Sequence, residues 1–372
     1  MSTEIRVSTP SRLCLFGEHL DYLGLEVIAV AINLRFSAKI AKREDSLIKI
    51  RIRDASIDTL NAENTDGLYT EYTFDLAKPI VYENNRDYLR STVNVLLRAG
   101  YKLTGFDIQM DSEIPIGKGM CSSSTMIVVL TRAMLEAIGH EDANNPEKIA
   151  HLAFDAEVTE FGEPGGMMDH YTSALGGLVN LSFPDGKTEV SRLSGKLGGR
   201  FILFDSLQQK DTTRVLGNAK TPALEAIDML KEYGITSVRD FTDDAKMPLL
   251  EKLDDMHRRV LSAAVDNYRI LLEAKALLDA DVIDDAAIGA LITRHHANLR
   301  DGLQISTPRI EEILNTAIEN GALGGKINGS GGGGCGYVYA READCEKIMK
   351  AIEALGYPTK MLKQDTGVRK EN

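Results

Sequence analysis

The chain has 372 residues, 43% of them apolar, and a net charge of −12. That length suits one large or two medium domains with a sizeable core. The acidic balance excludes nucleic acid as the main partner, because phosphate backbones need a basic surface. Cys14, Cys121, Cys335 and Cys345 have neither metal-type nor disulfide-type spacing. The start lacks a leader-like apolar region and no later run is long enough to span a bilayer, so a cytoplasmic chain without a membrane partner is expected.

Residues 4–53 read mostly as strands: 5–8, 13–16, 27–32, 36–41 and 48–52. Between the second and third lies Gly17-Glu18-His19-Leu20-Asp21-Tyr22-Leu23-Gly24. Three ionisable groups crowded between apolar strands make either a solvated loop tip or a polar pocket, and Arg12 just before an apolar strand favours the pocket. Residues 54–85 are polar and read as a surface excursion, and 86–101 has helical periodicity.

The stretch that organises the chain comes next. An alternating segment, 106–110, reads as a strand; Pro115-Ile116-Gly117-Lys118-Gly119-Met120-Cys121-Ser122-Ser123-Ser124 follows; then 126–138 is apolar with helical spacing. Strand, glycine-rich turn and serine-lined helix start together make an anion site: glycines let N–H groups converge, and the first helical turn supplies free donors. The plain alternative is a capped helix after a loop. Residues 146–161 read as a helix with Pro146 in its first turn. They run into Gly162-Glu163-Pro164-Gly165-Gly166-Met167-Met168-Asp169-His170, where glycines and a proline break the pattern before a carboxylate. A strand, 178–183, follows. The composition shift over 184–198 marks a domain boundary, giving units 1–195 and 196–372.

Beyond it come a strand at 200–205 and long helical material over 222–300. His295-His296 lie there without a third ligand, and adjacent histidines diverge on a helix, so no metal site is expected. A helix at 307–320, strands at 325–329 and 336–340, a helix at 342–355 and a strand at 359–363 give an α+β layer. The turn Gly329-Ser330-Gly331-Gly332-Gly333-Gly334 costs folding entropy, which points to close approach of backbone to something else.

Four ordered segments resemble the GHMP kinase superfamily (galactokinase, homoserine kinase, mevalonate kinase, phosphomevalonate kinase). Pro10-Ser11-Arg12 through Gly17-Glu18-His19-Leu20-Asp21-Tyr22 is similar to the galactokinase signature. Pro115 to Ser124 resembles the family's phosphate loop, and Ala156-Glu157 with Gly162, Pro164, Gly166, Met168 and Asp169 resembles the galactokinase stretch ending in its catalytic aspartate. Lys326-Ile327-Asn328-Gly329 through Cys335 resembles the C-terminal glycine motif, in the unbroken form of mevalonate and heptose kinases.

The resemblance implies an α+β, two-domain fold: an N-terminal mixed β-α domain, a ferredoxin-like C-terminal domain, and the active-site cleft between. It implies ATP and Mg²⁺ as cofactors and a small-molecule sugar as partner, in a monomer or homodimer. Asp169 matches the catalytic carboxylate, either base or orienting anchor, and Arg12 the arginine beside it. Ser123 and Glu157 match the metal ligands. Pro115, Gly117, Lys118, Gly119, Met120, Cys121, Ser122, Ser123 and Ser124 match the ATP-binding loop. Glu18, His19, Asp21, Tyr22 and Gly166 match the substrate side, and Gly329, Ser330, Gly331, Gly332 and Gly333 the glycine motif.

Departures from the pattern are Ser11 for glycine, Cys121 for serine, Asn328 for threonine, Gly165 for cysteine, and Gln208 to Arg214 where galactokinases carry a tyrosine. The expected activity is phosphorylation of the anomeric hydroxyl of galactose or a related sugar. The alternatives are a kinase of mevalonate, fucose, arabinose, a uronate or a heptose phosphate, and an inactive sugar sensor.

Overall fold

The structure is a computed structural model that describes residues 4–53, 69–163, 166–184, 187–209 and 212–371. Its first element, β1 (Ile5–Phe16), is one strand where the sequence suggests two. Residues 7–16 are all buried, so Thr9, Ser11 and Arg12 are polar groups inside a covered strand rather than a break between strands. Pro10 is accommodated at a register shift between Pro10 and Ser11, where a missing N–H does no harm. Likewise β2 (Val27–Lys42) runs unbroken through Asn33 and Arg35. With β3 (Leu47–Arg53), β4 (Tyr69–Asp75) and β5 (Phe106–Ser112) these strands form a sheet in the order β1-β2-β5-β3-β4. The surface excursion expected over 54–85 lies outside the described residues as far as 68, and β4 is the part of it that pairs into the sheet.

Four helices complete this half: α1 (Tyr88–Arg98), α2 (Ser122–Ile138), α3 (Pro146–Phe154) and α4 (Met168–Leu175). The expected helix 146–161 is α-helical only to Phe154 and then widens into a π turn over Asp155–Thr159. The helix α4 was hidden in the sequence by glycines on both sides. Strands β6 (Leu178–Ser182) and β7 (Glu189–Leu193) extend the sheet through β2. Residues 164–165 and 185–186, in the expected turn and boundary, lie outside the described residues.

The second half is a four-stranded antiparallel sheet in the order β11-β8-β10-β9, built from β8 (Arg200–Asp205), β9 (Gly324–Ile327), β10 (Cys335–Ala340) and β11 (Thr359–Leu362). Helices α5 (Thr212–Met229), α6 (Asp255–Leu278), α7 (Asp285–Ala297) and α8 (Pro308–Glu319) separate β8 from β9, and α9 (Glu342–Ala354) separates β10 from β11. Strand order 4-1-3-2 with this connectivity is the ferredoxin-like arrangement. The final strand, β12 (Arg369–Glu371), crosses back and pairs with β1. We propose a division into two units near residue 195, with this tail returned to the first.

The returning tail passes beside the end of α4. Asp365 N bonds Ala31 O at 2.9 Å, Gly177 N bonds Asp365 O at 2.8 Å, and Val368 N bonds Ala174 O at 3.1 Å. A Cβ at Gly176 (φ +73°) would lie 1.9 Å from Gly367 N. Gly176→Ala is therefore expected to cost at least about 2 kcal/mol through combined strain and overlap, read as a lowered denaturant midpoint. An unchanged midpoint would show that the tail is not held there.

Candidate active site

Arg12 leaves β1 just after the bulge at Pro10/Ser11. Its Nε donates to Asp169 Oδ1 at 2.8 Å and its Nη1 to Gly119 O at 3.0 Å. One guanidinium thus ties the first turn of α4 to the turn before α2. Burial pulls the Arg12 pKa down, but Asp169, with Cys121 and Glu18 beyond it, outweighs this and raises it, so Arg12 stays charged.

The turn before α2 has Gly117 at φ +70° and Gly119 at φ +85°. Cys121, the residue before α2, sits at φ +47° and makes no side-chain cap. The first intrahelical-type bond runs from Thr125 N to Cys121 O, so the N–H groups of Ser122, Ser123 and Ser124 are the free donors of the helix start. The π turn carries Glu157, which is 7% exposed, and His170 Nε2 lies 2.7 Å from its Oε2. Burial would raise the Glu157 pKa, but the bond from His170, with hydrogen bonds from Ser123 and Ser124, lowers it on balance.

Two cavities meet here. One is walled by Glu18, His19, Asp21, Tyr22, Glu157, Glu163, Gly166 and Met168. The other is walled by Phe36, Ile52, Ile116, Gly117, Met120, Cys121, Ser122 and Met126. Arg12, Ser123, Asp169, Gly329 and Ser330 line both. A polar chamber and a largely apolar slot therefore share a wall that carries the phosphate-type donors and one carboxylate. Ser124 faces the polar chamber, and Gly119 lies on the slot.

Other residues singled out in the sequence face elsewhere. Pro115 and Lys118 line neither cavity. The Lys118 ammonium is 3.0 Å from Asp205 Oδ2, and Lys118 O accepts from Cys335 N at 3.2 Å, so this residue bolts the loop to the second sheet. Of the glycine motif, Gly329 and Ser330 reach the cavities. The glycines after them approach the chain itself: Gly332 N bonds Ile305 O at 2.8 Å and Gly334 N bonds Gln208 O at 2.9 Å. A Cβ on Gly333 would meet Gln209 O at 2.6 Å. His295 and His296 are buried, the first beside Leu15 O at 3.4 Å and the second 2.8 Å from Glu311. Among the described residues no group of three or more His, Cys, Asp or Glu is placed to hold a metal ion, and no helix is long and apolar enough to cross a membrane.

Comparison with known proteins matches three family descriptions in chain order: the galactokinase galactose-binding signature over residues 2–42, the GHMP kinases N terminal domain over 87–177, and the GHMP kinases C terminal over 274–358. The chain belongs to the GHMP kinase superfamily. This GHMP kinase is 29% identical to a galactokinase of Streptomyces coelicolor, over 93% of this chain and 87% of that one. It is 28% identical to a mevalonate kinase of Thermococcus sibiricus, over 95% and 93%. Its fold superposes on a Lactococcus lactis galactokinase complexed with galactose at a TM-score of 0.77, with 18% identity over 99% and 95% of the two chains. For the Methanococcus jannaschii mevalonate kinase the score is 0.73, with 20% identity over 98% and 99%.

Several residues that shape this GHMP kinase's site carried no local signal. Lys326 and Asp205 are single charges at or near the ends of apolar strands, and their partners are 308 and 87 residues away. Asn328, a departure from the family pattern, donates to Gly119 O at 2.9 Å and accepts from Cys14 N at 3.0 Å, so it joins the phosphate loop, β1 and the glycine motif. His170 could have been suspected, since it follows Asp169 directly. The apolar slot residues Phe36, Ile52 and Met126 read simply as core.

Proposed function

We propose that this chain is an ATP-dependent sugar kinase of the galactokinase type, acting on the anomeric hydroxyl of galactose or a related neutral sugar. The observation that carries the reading is the shared wall: Asp169 and Arg12 stand where a polar chamber meets an apolar slot lined by a glycine-serine loop. The slot suits a purine, the loop its phosphates, and the chamber a polyhydroxy acceptor. Asp169 orients the acceptor hydroxyl for in-line attack and receives or anchors its proton. Arg12 holds Asp169 in place and offsets charge on the transferring group.

The chamber's charge argues against an anionic acceptor. Its walls carry Glu18, Asp21, Glu157, Glu163 and Asp169, and the cations beside them are already committed: Arg12 to Asp169, Lys326 to Glu18 and Arg86 to Glu163. Lys220, with its ammonium 5.6 Å from the Tyr22 ring, is outside that lining. A carboxylate or phosphate entering there meets mostly like charge, whereas carboxylates are good partners for sugar hydroxyls. Mevalonate remains the second reading because the unbroken glycine motif and the Thermococcus relative favour it.

The residues present fit Mg²⁺. Glu157 and Ser123 give a carboxylate and a hydroxyl on one wall of the chamber, and magnesium normally keeps waters and phosphates as its other ligands. When bound, the ion would neutralise phosphate charge.

The deciding experiment is ADP release with Mg-ATP across galactose, arabinose, fucose, galacturonate, a heptose phosphate and mevalonate. Turnover with a neutral sugar supports the proposal, and turnover only with an anionic compound overturns it. A pH profile adds a second check. Burial raises the Asp21 pKa, backbone bonds partly oppose it, and the nearby Glu18 and Asp169 carboxylates reinforce it. The acceptor KM is therefore expected to rise as pH falls through a value above the ordinary aspartate pKa of about 3.9. Asp21→Asn should flatten that limb; an unaltered profile would remove Asp21 from acceptor binding.

A further inference from the structure

The sugar signature would assign Glu18, His19 and Asp21 alike to the acceptor, but their surroundings separate them. Glu18 is 6% exposed. Its Oε1 accepts from Gly329 N at 2.7 Å and its Oε2 from the Lys326 ammonium. Lys326 is fully buried. The same ammonium donates to Cys14 O at 3.1 Å and lies 5.5 Å from the Tyr337 ring, and among the described residues Glu18 is the carboxylate paired with it. Turning Glu18 toward a ligand would strand an ammonium and an amide N–H inside the protein, and a sugar hydroxyl supplies no counter-charge.

His19 is held in the same way. It sits at φ +65°. Its Nε2 is 3.1 Å from Ser330 O, a group that only accepts, so the proton is on that nitrogen. Its Nδ1 is left to accept from the Tyr22 hydroxyl at 3.3 Å. Asp21 differs: the protein groups that bond its carboxylate are backbone N–H groups of its own turn. Its Oδ2 stands against the open Cα face of Gly166, where a Cβ would be 2.9 Å away.

We propose that Glu18 and His19 are positioning residues that strap the substrate loop to Gly329-Ser330 of the glycine turn, leaving Asp21 as the loop's hydroxyl-binding carboxylate. The role of Asp21 and the effect on the nucleotide rest on the sugar-kinase reading; the strap itself rests on the contacts of Glu18 and His19. Because Gly329 and Ser330 line both the chamber and the slot, the strap acts on the nucleotide as well as on the acceptor. A plain acceptor ligand would not.

The test is titration calorimetry of the full chain with magnesium and AMP-PNP, no acceptor present, alongside acceptor KM in turnover. For Glu18→Gln, nucleotide affinity is expected to fall about tenfold and acceptor KM to rise. For Asp21→Asn, acceptor KM should rise about tenfold or more while nucleotide affinity stays within about twofold. A Glu18→Gln protein that binds nucleotide like the wild type and is impaired only toward acceptor overturns the strap. If Glu18→Gln is not recovered folded, the neutral pair E18Q/K326M is measured in its place with the same two outcomes. Thermal unfolding gives a readout independent of activity: K326M alone should melt below E18Q/K326M, since removing both charges leaves none unpaired. Equal or additive losses overturn the pairing. A wild-type chain that binds no nucleotide ends the kinase reading, while the melting comparison still decides the strap.

Discussion

Asp169→Asn is expected to lower kcat by about 10² to 10⁴ while leaving the protein folded. The amide keeps the shape of the side chain and loses the charge that Arg12 and the acceptor hydroxyl both use. Asp169 is a quarter exposed and lies in the first turn of α4. There its charge adds about 0.3–1 kcal/mol through the helix dipole; the amide oxygen can still accept from Arg12 Nε, so loss of the ion pair is expected to lower the melting temperature without preventing folding. Arg12 is different. It is 5% exposed and spans Asp169 and Gly119, so its removal would disturb the loop as well as the chemistry. The asparagine variant therefore isolates the charge. Single-turnover measurement with saturating nucleotide and acceptor reads the chemical step, and a melting curve checks the fold. A residual rate within about tenfold of the wild type would mean that another group orients the hydroxyl.

What was legible in the sequence was what is encoded locally. Pro115 to Ser124 announces its own backbone, because alternating glycines before a serine-led apolar helix have few other structures. The turn Gly17 to Gly24 stood out because charge is crowded between apolar strands. Polar residues on covered strands misled. Thr9, Ser11 and Arg12 look like a gap, yet they continue β1, and Arg12 is the one of them that lines both cavities. The eight residues of α4 were concealed by the glycine run before them and Gly176-Gly177 behind, which exist for the close passage of the tail. Residues whose meaning is a distant partner had no local signature. Lys326 becomes intelligible only beside Glu18, and Lys118 only beside Asp205. In the glycine motif the close approach that the entropy cost pointed to is made to Ile305 and Gln208-Gln209 by the run Gly331 to Gly334.

The same contrast between local and distant encoding governs the proposed metal site. Glu157 is brought to the chamber by the π turn over Asp155–Thr159, an irregularity of the kind often found at functional positions. His170 then fixes its carboxylate from α4, one residue beyond Asp169. The proposed metal ligand and the proposed catalytic carboxylate are thereby held by one short helix, so a shift of α4 would move both. Glu157→Gln is expected to raise the magnesium concentration for half-maximal activity by at least about 10- to 100-fold, the range that altering a residue behind a metal ligand already produces. Excess Mg²⁺ should restore part of the rate, because Ser123, phosphates and water remain as donors. Acid gives the complementary readout. The folded-state pKa of Glu157 is lowered, so its stabilising bond to His170 is fully present above the ordinary glutamate value of about 4.3. It is lost as pH falls through the lowered one. Wild-type protein should therefore lose stability over that acid range, and Glu157→Gln should lose less. An unchanged magnesium requirement in the variant, with normal folding, would take Glu157 out of the metal site and leave it a structural partner of His170.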